Sequence, residues 1–279
     1  MADRKKAAVK PDFATIGGLI LAFGGILGGL VLEGGKIRDV TQFTAAVIVL
    51  GGTLGAVMVT TPLDVLIRAA KKFLLVFMDT VSAPEAVIED LIAFATKARK
   101  SGIAALEHDA EEIDDHFLKK AISLAVDGTD VQEIRKMMEI EITVEECRWE
   151  AEAKVYEAAG GYSPTVGIIG AVLGLIQVMK HLENIDEVGH GIAVAFVATV
   201  YGVAAANLLF LPAAHKIKAR AANAIQMREL MLEGVIGIAE GLNPKLIKIK
   251  LDAYIQGYPA KGNKGGVRNP APQTAAAEA

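Results

Sequence analysis

Four stretches without a charged side chain constrain the fold of this chain more than any other feature. A helix crosses the apolar core of a bilayer in about 20 residues, and an uncharged apolar run of about 18 or more indicates a membrane span. The four runs comprise residues 13–32, 43–63, 158–179 and 191–214. The sequence therefore predicts an all-α integral membrane protein with four transmembrane helices.

The lysine and arginine residues around these runs predict how the spans are oriented. Basic residues concentrate in the N-terminal residues 1–12, after the second span, and in the segment HKIKAR after the fourth span. The two remaining loops, residues 33–42 and 180–190, carry few of them. Because loops rich in lysine and arginine stay on the cytoplasmic side, we expect both termini and the long second loop to be cytoplasmic.

The segments outside the spans have compositions typical of helices. Residues 64–157 are rich in Ala, Glu, Lys, Ile and Leu and predict a helical cytoplasmic domain. Residues 215–256 predict a second, C-terminal helical region in the cytoplasm. Residues 257–279 are dominated by Gly, Pro, Lys and Ala, which predicts a disordered tail.

Two helices can be delimited within the cytoplasmic domain. Ser82 is the expected N-cap of the first, with Pro84 in its first turn and Gly102 as its stop. The second is predicted from about Thr129 towards Tyr156, and the pattern leaves its continuation into the third span open.

Small residues recur at intervals of four in the spans, although glycine costs roughly 0.5–1 kcal/mol relative to alanine inside an ordinary helix. In lipid, small residues allow helix backbones to approach closely. The clearest sets are Gly24 and Gly28, Gly170 and Gly174, and Ala198, Gly202 and Ala206. Two interpretations remain open: these faces pack the helices of one subunit together, or some of them receive helices from another polypeptide.

No span carries an acidic or basic side chain in its middle, although proton relays and most ion carriers place an ionisable group there. Either this chain moves no ions, or a partner helix supplies the titrating group. The single cysteine, Cys147, excludes an intramolecular disulfide, and no basic run interleaved with aromatic residues indicates nucleic acid binding. We expect a protein that is not an enzyme and has no cofactor or metal.

Two longer motifs resemble a known family. They are GGYSPTVGIIGAVLGLIQVMKHLENIDEVGHGIAVAFVATVYGVAAANLLFLPAAHKIK, across the third and fourth spans, and RELMLEGVIGIAEGLNPKLI beyond them. With the four spans and the long second loop, they resemble the MotA/PomA family, the ion-channel subunits of the bacterial flagellar stator. The resemblance implies a homopentamer in the inner membrane around a dimer of MotB, whose single span carries the ion-binding aspartate. Such a complex uses the proton motive force to turn the rotor protein FliG.

Two other functions stay open from the sequence. An ExbB- or TolQ-like energiser would drive a periplasmic partner instead of a rotor, but those related proteins have three spans. A purely structural membrane scaffold would conduct nothing even with a partner. Four spans favour the MotA/PomA family over the first of these.

The resemblance assigns roles to three residues of the spans. Pro164 matches the proline that opens the family's third span, where a first-turn position needs no N–H donor. Pro212 matches the proline near the cytoplasmic end of the fourth span, where it would permit a kink or a termination. In the family both prolines are linked to coupling ion flow to conformational change. Thr199 matches a threonine whose hydroxyl faces the partner's aspartate.

The residue at position 171 discriminates between the two coupling ions. Sodium-driven members resemble Gly-Thr where this chain has Gly170 and Ala171. A dehydrated sodium ion needs several oxygen ligands, which a methyl group does not supply, whereas a proton needs only the aspartate and a water path. We therefore place Ala171, Thr199 and Thr53 in an ion pathway that favours protons. The oxygens of Thr53, Thr199 and the backbone leave a sodium-driven PomA/MotP-like stator as the alternative.

The motif KARKSGIAALEHD resembles the part of the family's cytoplasmic loop that engages FliG. Arg99 and Glu107 fall on the charged pair of that loop. Exposed ion pairs are individually weak, about 0–1 kcal/mol, which suits contacts that are made and released repeatedly. The resemblance therefore implies that Arg99 and Glu107 bind the rotor, with Lys97, Lys100 and Glu111 as auxiliary candidates.

Overall fold

The computed structural model describes residues 9–80 and 84–255. The expected N-cap Ser82 and the tail at residues 257–279 lie outside the described residues. The helices are α1 Phe13–Leu32, α2 Phe43–Ala46, α3 Gly52–Thr60, α4 Leu63–Val76, α5 Pro84–Ser101, α6 Glu107–Glu111, α7 His116–Val126, α8 Val131–Lys180, α9 Ile185–Ala204, α10 Leu211–Ala239 and α11 Pro244–Ile255.

Two π-helical segments each connect two of these helices into one longer helix. The first, Val47–Gly51, joins α2 to α3, and the second, Ala205–Phe210, joins α9 to α10. Short 3₁₀ turns lie at Ile37–Val40 and Ile103–Leu106. The resulting stretches that are long and apolar enough to cross a membrane are Phe13–Leu32, Ile37–Thr60, Val131–Lys180 and Ile185–Ala239. The predicted fold class, four transmembrane helices with a helical cytoplasmic part, is confirmed.

Helix α8 is continuous from the cytoplasmic part through the third span. It has 50 residues and a length of about 75 Å, so the second cytoplasmic helix does continue into the membrane. The expected first-turn position of Pro164 is wrong, because Pro164 lies in the interior of α8. Its missing N–H leaves the Gly160 carbonyl without that bond. Tight packing supports the helix here, since a methyl group on Gly160 would lie 2.6 Å from the Leu211 side chain.

The fourth span also continues into the cytoplasm. Pro212 lies in the first turn of α10, directly after the π-helical segment, and the helix does not terminate there. A π-helical segment and a proline are both recognised sites of helix bending. The alternative of a termination at Pro212 is therefore excluded.

Helix α1 is attached to the rest of the chain mainly at its N-terminal end. Its N-cap Asp12 forms ion pairs with Lys216 and, at 3.5 Å, with Arg220 of α10. Just before α1, the strand β1 (Val9–Pro11) pairs antiparallel with the strand β2 (Met78–Thr80). Strands of three residues are too short to show a sequence pattern, so the sequence does not predict this contact. Within α1, all of which is described, no residue is buried, and methyl groups on Gly24 or Gly28 would meet nothing within 4 Å.

The cytoplasmic elements share one apolar core beneath the membrane. Side chains from α5, α7, the first part of α8, α10 and α11 form it, with Leu91, Ile122, Ile134, Leu230 and Leu251 among its fully buried members. Because α8 and α10 belong both to this core and to the spans, continuous helices join the cytoplasmic domain to the membrane helices.

Candidate functional site

Helices α8 and α9 meet through small residues at successive levels of the membrane. A methyl group added to Gly174 would lie 2.7 Å from the carbonyl oxygen of Gly191, and one added to Gly170 would lie 2.7 Å from the Cβ of Ala198. One added to Gly202 would lie 2.6 Å from a backbone oxygen of α8. These distances are too short for any larger residue. For α8 and α9, the small faces therefore pack helices of one subunit together.

The residues that follow the Gly170–Ala198 contact, Ala171 and Thr199, lie at one level of this helix pair. Both side chains are half-buried. The Thr199 hydroxyl donates to the carbonyl oxygen of Ala195 at 3.2 Å, which is the usual bond of a threonine in a membrane helix. To face a partner's carboxylate, the hydroxyl must give up that bond. The role of both residues in the ion pathway stays a prediction.

Thr53 lies nearer the cytoplasmic end than this pair. Its neighbour Gly52 packs against Val166, where an added methyl group would lie 2.7 Å from the side chain. Val166 precedes Ala171 by five residues, or roughly 7 Å along α8. Thr53 is 2% exposed, and its hydroxyl has no hydrogen-bond partner among the described residues. It borders an apolar groove towards α4, so its place in the ion pathway also stays a prediction.

Sequence reasoning missed Ser163, which directly precedes Pro164. Its side chain is fully buried, and within the described part of the chain its hydroxyl has no partner. A buried hydroxyl without a hydrogen bond is costly, which makes this a position where water or a partner group can bind. Only its burial distinguishes it, because a serine beside a proline is unremarkable in sequence.

One carboxylate, Glu152, is buried among the described residues, with 3% exposure. It precedes the uncharged run of the third span by six residues and binds Lys72 of α4 at 2.6 Å and Arg68 at 3.5 Å. Lys72 also lies 2.9 Å from the ring centroid of Trp149. Burial lowers the pKa of Lys72, and pairing with Glu152 opposes that shift. This cluster attaches α4 to α8. Its acid, Glu152, does not lie in the middle of a span.

The outer end of the α8–α9 pair opens into a cavity of about 700 Å³. Charged and polar side chains border it, and His181 Nε2 lies 3.2 Å from a carboxylate oxygen of Glu187. The remaining ionisable side chains of the lining are Lys180, Asp186 and His190. A cavity of this size, bordered by several ionisable side chains, is large enough to hold water at this end of the pair.

The predicted rotor-binding residues lie on the turn between α5 and α6. Gly102 has φ +84°, which favours glycine, and it ends α5 as expected. Arg99 and Glu107 are exposed on either side of it and form no ion pair with any described residue. Beneath them, Lys97 bonds Asp109 at 2.6 Å, so Lys97 is less available than predicted.

This turn lies far from the membrane. Arg99 borders a small cavity together with Ile103 and with Ile238 near the end of α10. Ile238 is 27 residues beyond Leu211, which corresponds to roughly 40 Å along the helix. Of the other auxiliary candidates, Lys100 and Glu111 are exposed.

An uncharged helix pair in the membrane, continued as long helices into a cytoplasmic domain, defines a polytopic helical membrane protein of the channel-subunit type. The family described as the MotA/TolQ/ExbB proton channel family matches residues 109–230, and the motility protein A N-terminal family matches residues 16–102. Motility protein A of Bacillus subtilis strain 168 is 38% identical over 254 residues, which cover 90% of this chain and 92% of that protein. The chain belongs to the motility protein A family.

Two solved structures agree with this assignment. The structure of C. jejuni MotAB superposes with a TM-score of 0.85 at 34% identity, over 91% of this chain and 100% of that one. The flagellar MotAB stator complex from Bacillus subtilis gives a TM-score of 0.82 at 37% identity, over 88% of this chain and 96% of that one.

Proposed function

We propose that this chain is a subunit of a flagellar motor stator that works with a MotB-like single-span partner. Membership in the motility protein A family and the likeness to two MotAB structures support this proposal. The chain lies in the bacterial inner membrane as a multi-pass protein, with both termini and the domain of α5–α7 in the cytoplasm. The complex converts the proton motive force into torque on the rotor protein FliG.

The observation that carries this function is that the membrane-spanning parts of α8 and α9 carry no charged side chain. Ion carriers need a titratable group near mid-membrane, and the buried carboxylate found among the described residues, Glu152, is neutralised outside the spans. A partner helix therefore supplies the acid, at the level of Ala171 and Thr199. Five copies of the chain form a ring around the partner dimer and enclose that acid.

Coupling to the rotor follows from the continuity of the helices. A proton that moves through 100 mV releases roughly 2.3 kcal/mol, and neutralising the partner's aspartate favours one helix arrangement over the next. Pro164 and Pro212 each lack a backbone N–H, so bending is easiest there. The continuous helices α8 and α10 carry the movement to the turn with Arg99 and Glu107, which pushes FliG.

Proton coupling is favoured over sodium because the helix pair offers few oxygen ligands. Ala171 has a methyl group, and Thr199 supplies one side-chain oxygen, whose lone pairs stay free because its hydroxyl donates to the Ala195 carbonyl at 3.2 Å. The substitution Ala171→Thr adds a single hydroxyl, which is too few ligands for a dehydrated sodium ion. We expect it to leave motility independent of sodium, as measured by swimming speed in media with and without sodium. Sodium-dependent swimming after this one change would contradict the reasoning.

The experiment that tests the function is ion flux into liposomes. The chain with its MotB-like partner is expected to carry protons under a pH gradient, and the chain alone is expected to carry almost none. A partner whose aspartate is replaced by asparagine should conduct as little as the chain alone. Equal proton flux with and without the partner would refute the proposal, and flux that needs a sodium gradient would replace the proton by sodium.

A further inference from the structure

The outward face of α4 is apolar although no described element covers it. Leu63, Ile67 and Leu74 are 65%, 49% and 64% exposed, and with Lys71 they form one stripe at helical spacing. A helix that faces water presents polar side chains on such a stripe. The exposed face of α4 therefore suits an apolar environment.

The opposite face of α4 is fixed, so the stripe cannot simply turn inward. The Tyr156 hydroxyl donates to the carbonyl oxygen of Ala69 at 2.7 Å, and Lys72 pairs with buried Glu152 at 2.6 Å. Both contacts attach α4 to α8. The orientation that exposes the leucines and isoleucine is consequently the one that the packing selects.

A groove continues from this stripe along the second span. It has a volume of about 370 Å³ and an almost wholly apolar wall, with Leu54, Met58, Leu66 and Phe210 among its lining residues. It lies in the angle between α3 and α4, which are separated by only Thr61 and Pro62. An opening of this shape at the end of a membrane span can hold an extended hydrocarbon chain.

The charges beside the groove select the kind of lipid. Arg68 is bonded to Asp64 at 2.9 Å and Lys72 to Glu152, which neutralises both. Lys71 is exposed, forms no ion pair with any described residue and directly follows Ala70 of the groove lining, so its charge is available beside the groove. A basic residue near the cytoplasmic surface attracts anionic headgroups.

We infer that this groove binds one anionic phospholipid of the cytoplasmic leaflet, with an acyl chain between α3 and α4 and the headgroup on Lys71. The inference rests on the membrane placement given under the proposed function. A neighbouring copy of the chain is the rival occupant. The exposed lysine in this apolar stripe favours the lipid over a contact between the α4 helices of two copies, because the one acidic residue of α4, Asp64, is already paired with Arg68.

The test measures lipid binding to the purified stator complex in detergent, by native mass spectrometry. Phosphatidylglycerol is expected to bind more tightly than phosphatidylcholine with the same acyl chains. Lys71→Gln should weaken phosphatidylglycerol binding about fivefold, whereas Lys71→Arg should retain it. Lys248→Gln, at another exposed lysine, is the matched control and should change nothing.

The groove is tested separately from the charge. Leu54→Trp or Met58→Trp fills it and should weaken both lipids, and the two variants guard against misfolding of either one. Equal binding of the two lipids by the unaltered complex, or equal losses in Lys71→Gln and Lys248→Gln, would overturn the inference. So would efficient crosslinking of Lys71→Cys to a neighbouring copy in a Cys147→Ser background. Proton flux, measured after the same preparation is reconstituted into liposomes, shows independently whether the stator function holds.

Discussion

Adding one methyl group at Gly174 should separate the two helices of the candidate ion pathway. The new Cβ would lie 2.7 Å from the carbonyl oxygen of Gly191 and 2.8 Å from the backbone nitrogen of Ala195, against an ordinary contact of about 3.5–4.0 Å. The obstructing atoms belong to a helix backbone, so no side chain can rotate away. Helices α8 and α9 must therefore move apart by roughly 1 Å.

The free energy of this change can be worked from two opposing effects. Overpacking costs roughly 1–3 kcal/mol, and a rigid backbone places Gly174→Ala in the upper half of that range. Replacing glycine by alanine inside a helix returns roughly 0.5–1 kcal/mol. We expect a net loss of roughly 1–2.5 kcal/mol, which raises the unfolded fraction about 5–70-fold.

Gly161→Ala is the matched control, because Gly161 lies in the same helix and an added methyl group there would meet no described atom within 4 Å. Both variants are purified in detergent and unfolded by increasing fractions of sodium dodecyl sulfate. The fluorescence of Trp149, the single tryptophan, reports the transition. Gly161→Ala should be neutral or slightly more stable than the unaltered chain. Equal midpoints for the two variants would refute the close-packing argument.

Three further changes test other parts of the molecule. Lys72→Met leaves Glu152 buried without its nearest partner and should cost roughly 3–5 kcal/mol in the same unfolding assay, most of which Glu152→Gln in the same chain should recover. Arg99→Glu or Glu107→Lys should reduce swimming in soft agar while proton flux in liposomes stays unchanged. Burial raises the pKa of Glu233, but its bonds to Arg135 and Lys250 lower it by more, so the pKa lies below its ordinary value of 4.5. The stability that Glu233 contributes is therefore present above pH 4.5 and is lost in more acidic solution.

Each of these has an outcome that contradicts it. Lys248→Met, at an exposed lysine, should be harmless; a loss as large as that of Lys72→Met would remove the argument from burial. Flux that falls together with motility would place Arg99 in the channel and not on the rotor surface. If Glu233→Gln keeps the same acid sensitivity as the unaltered chain, the pairing of Glu233 is not its source.

The parts of the structure that the sequence predicts are those with a local signal. The uncharged runs predict the spans because lipid excludes charge. Gly102 predicts the end of α5 because a positive φ favours glycine. The first-turn position expected for Pro164 was wrong because proline normally marks a helix start, and no local pattern shows that α8 passes through it. The Glu152 cluster depends on residues about 80 positions apart in sequence, so no local pattern identifies it.

The candidate site likewise has features that the sequence predicts and features that only the structure shows. Small residues at intervals of four indicated close helix contact, but the sequence could not say which faces meet within one subunit. The structure separates them: Gly170 and Gly174 pack against α9, whereas Gly24 and Gly28 of α1 have no described atom within 4 Å of an added methyl group. Arg99 and Glu107 were found through resemblance, and the structure adds that they are exposed at the membrane-distal end.

The unbroken passage of α8 through Pro164 has a mechanical consequence. From Pro164 to the cytoplasmic end at Val131 the helix measures about 50 Å, so a tilt of about 5° at the proline displaces that end by about 4 Å. Under the proposed function, the helix would work as a lever whose short arm lies in the bilayer. A sub-ångström rearrangement around the partner's neutralised acid would thereby be amplified into a stroke comparable with the length of a side chain.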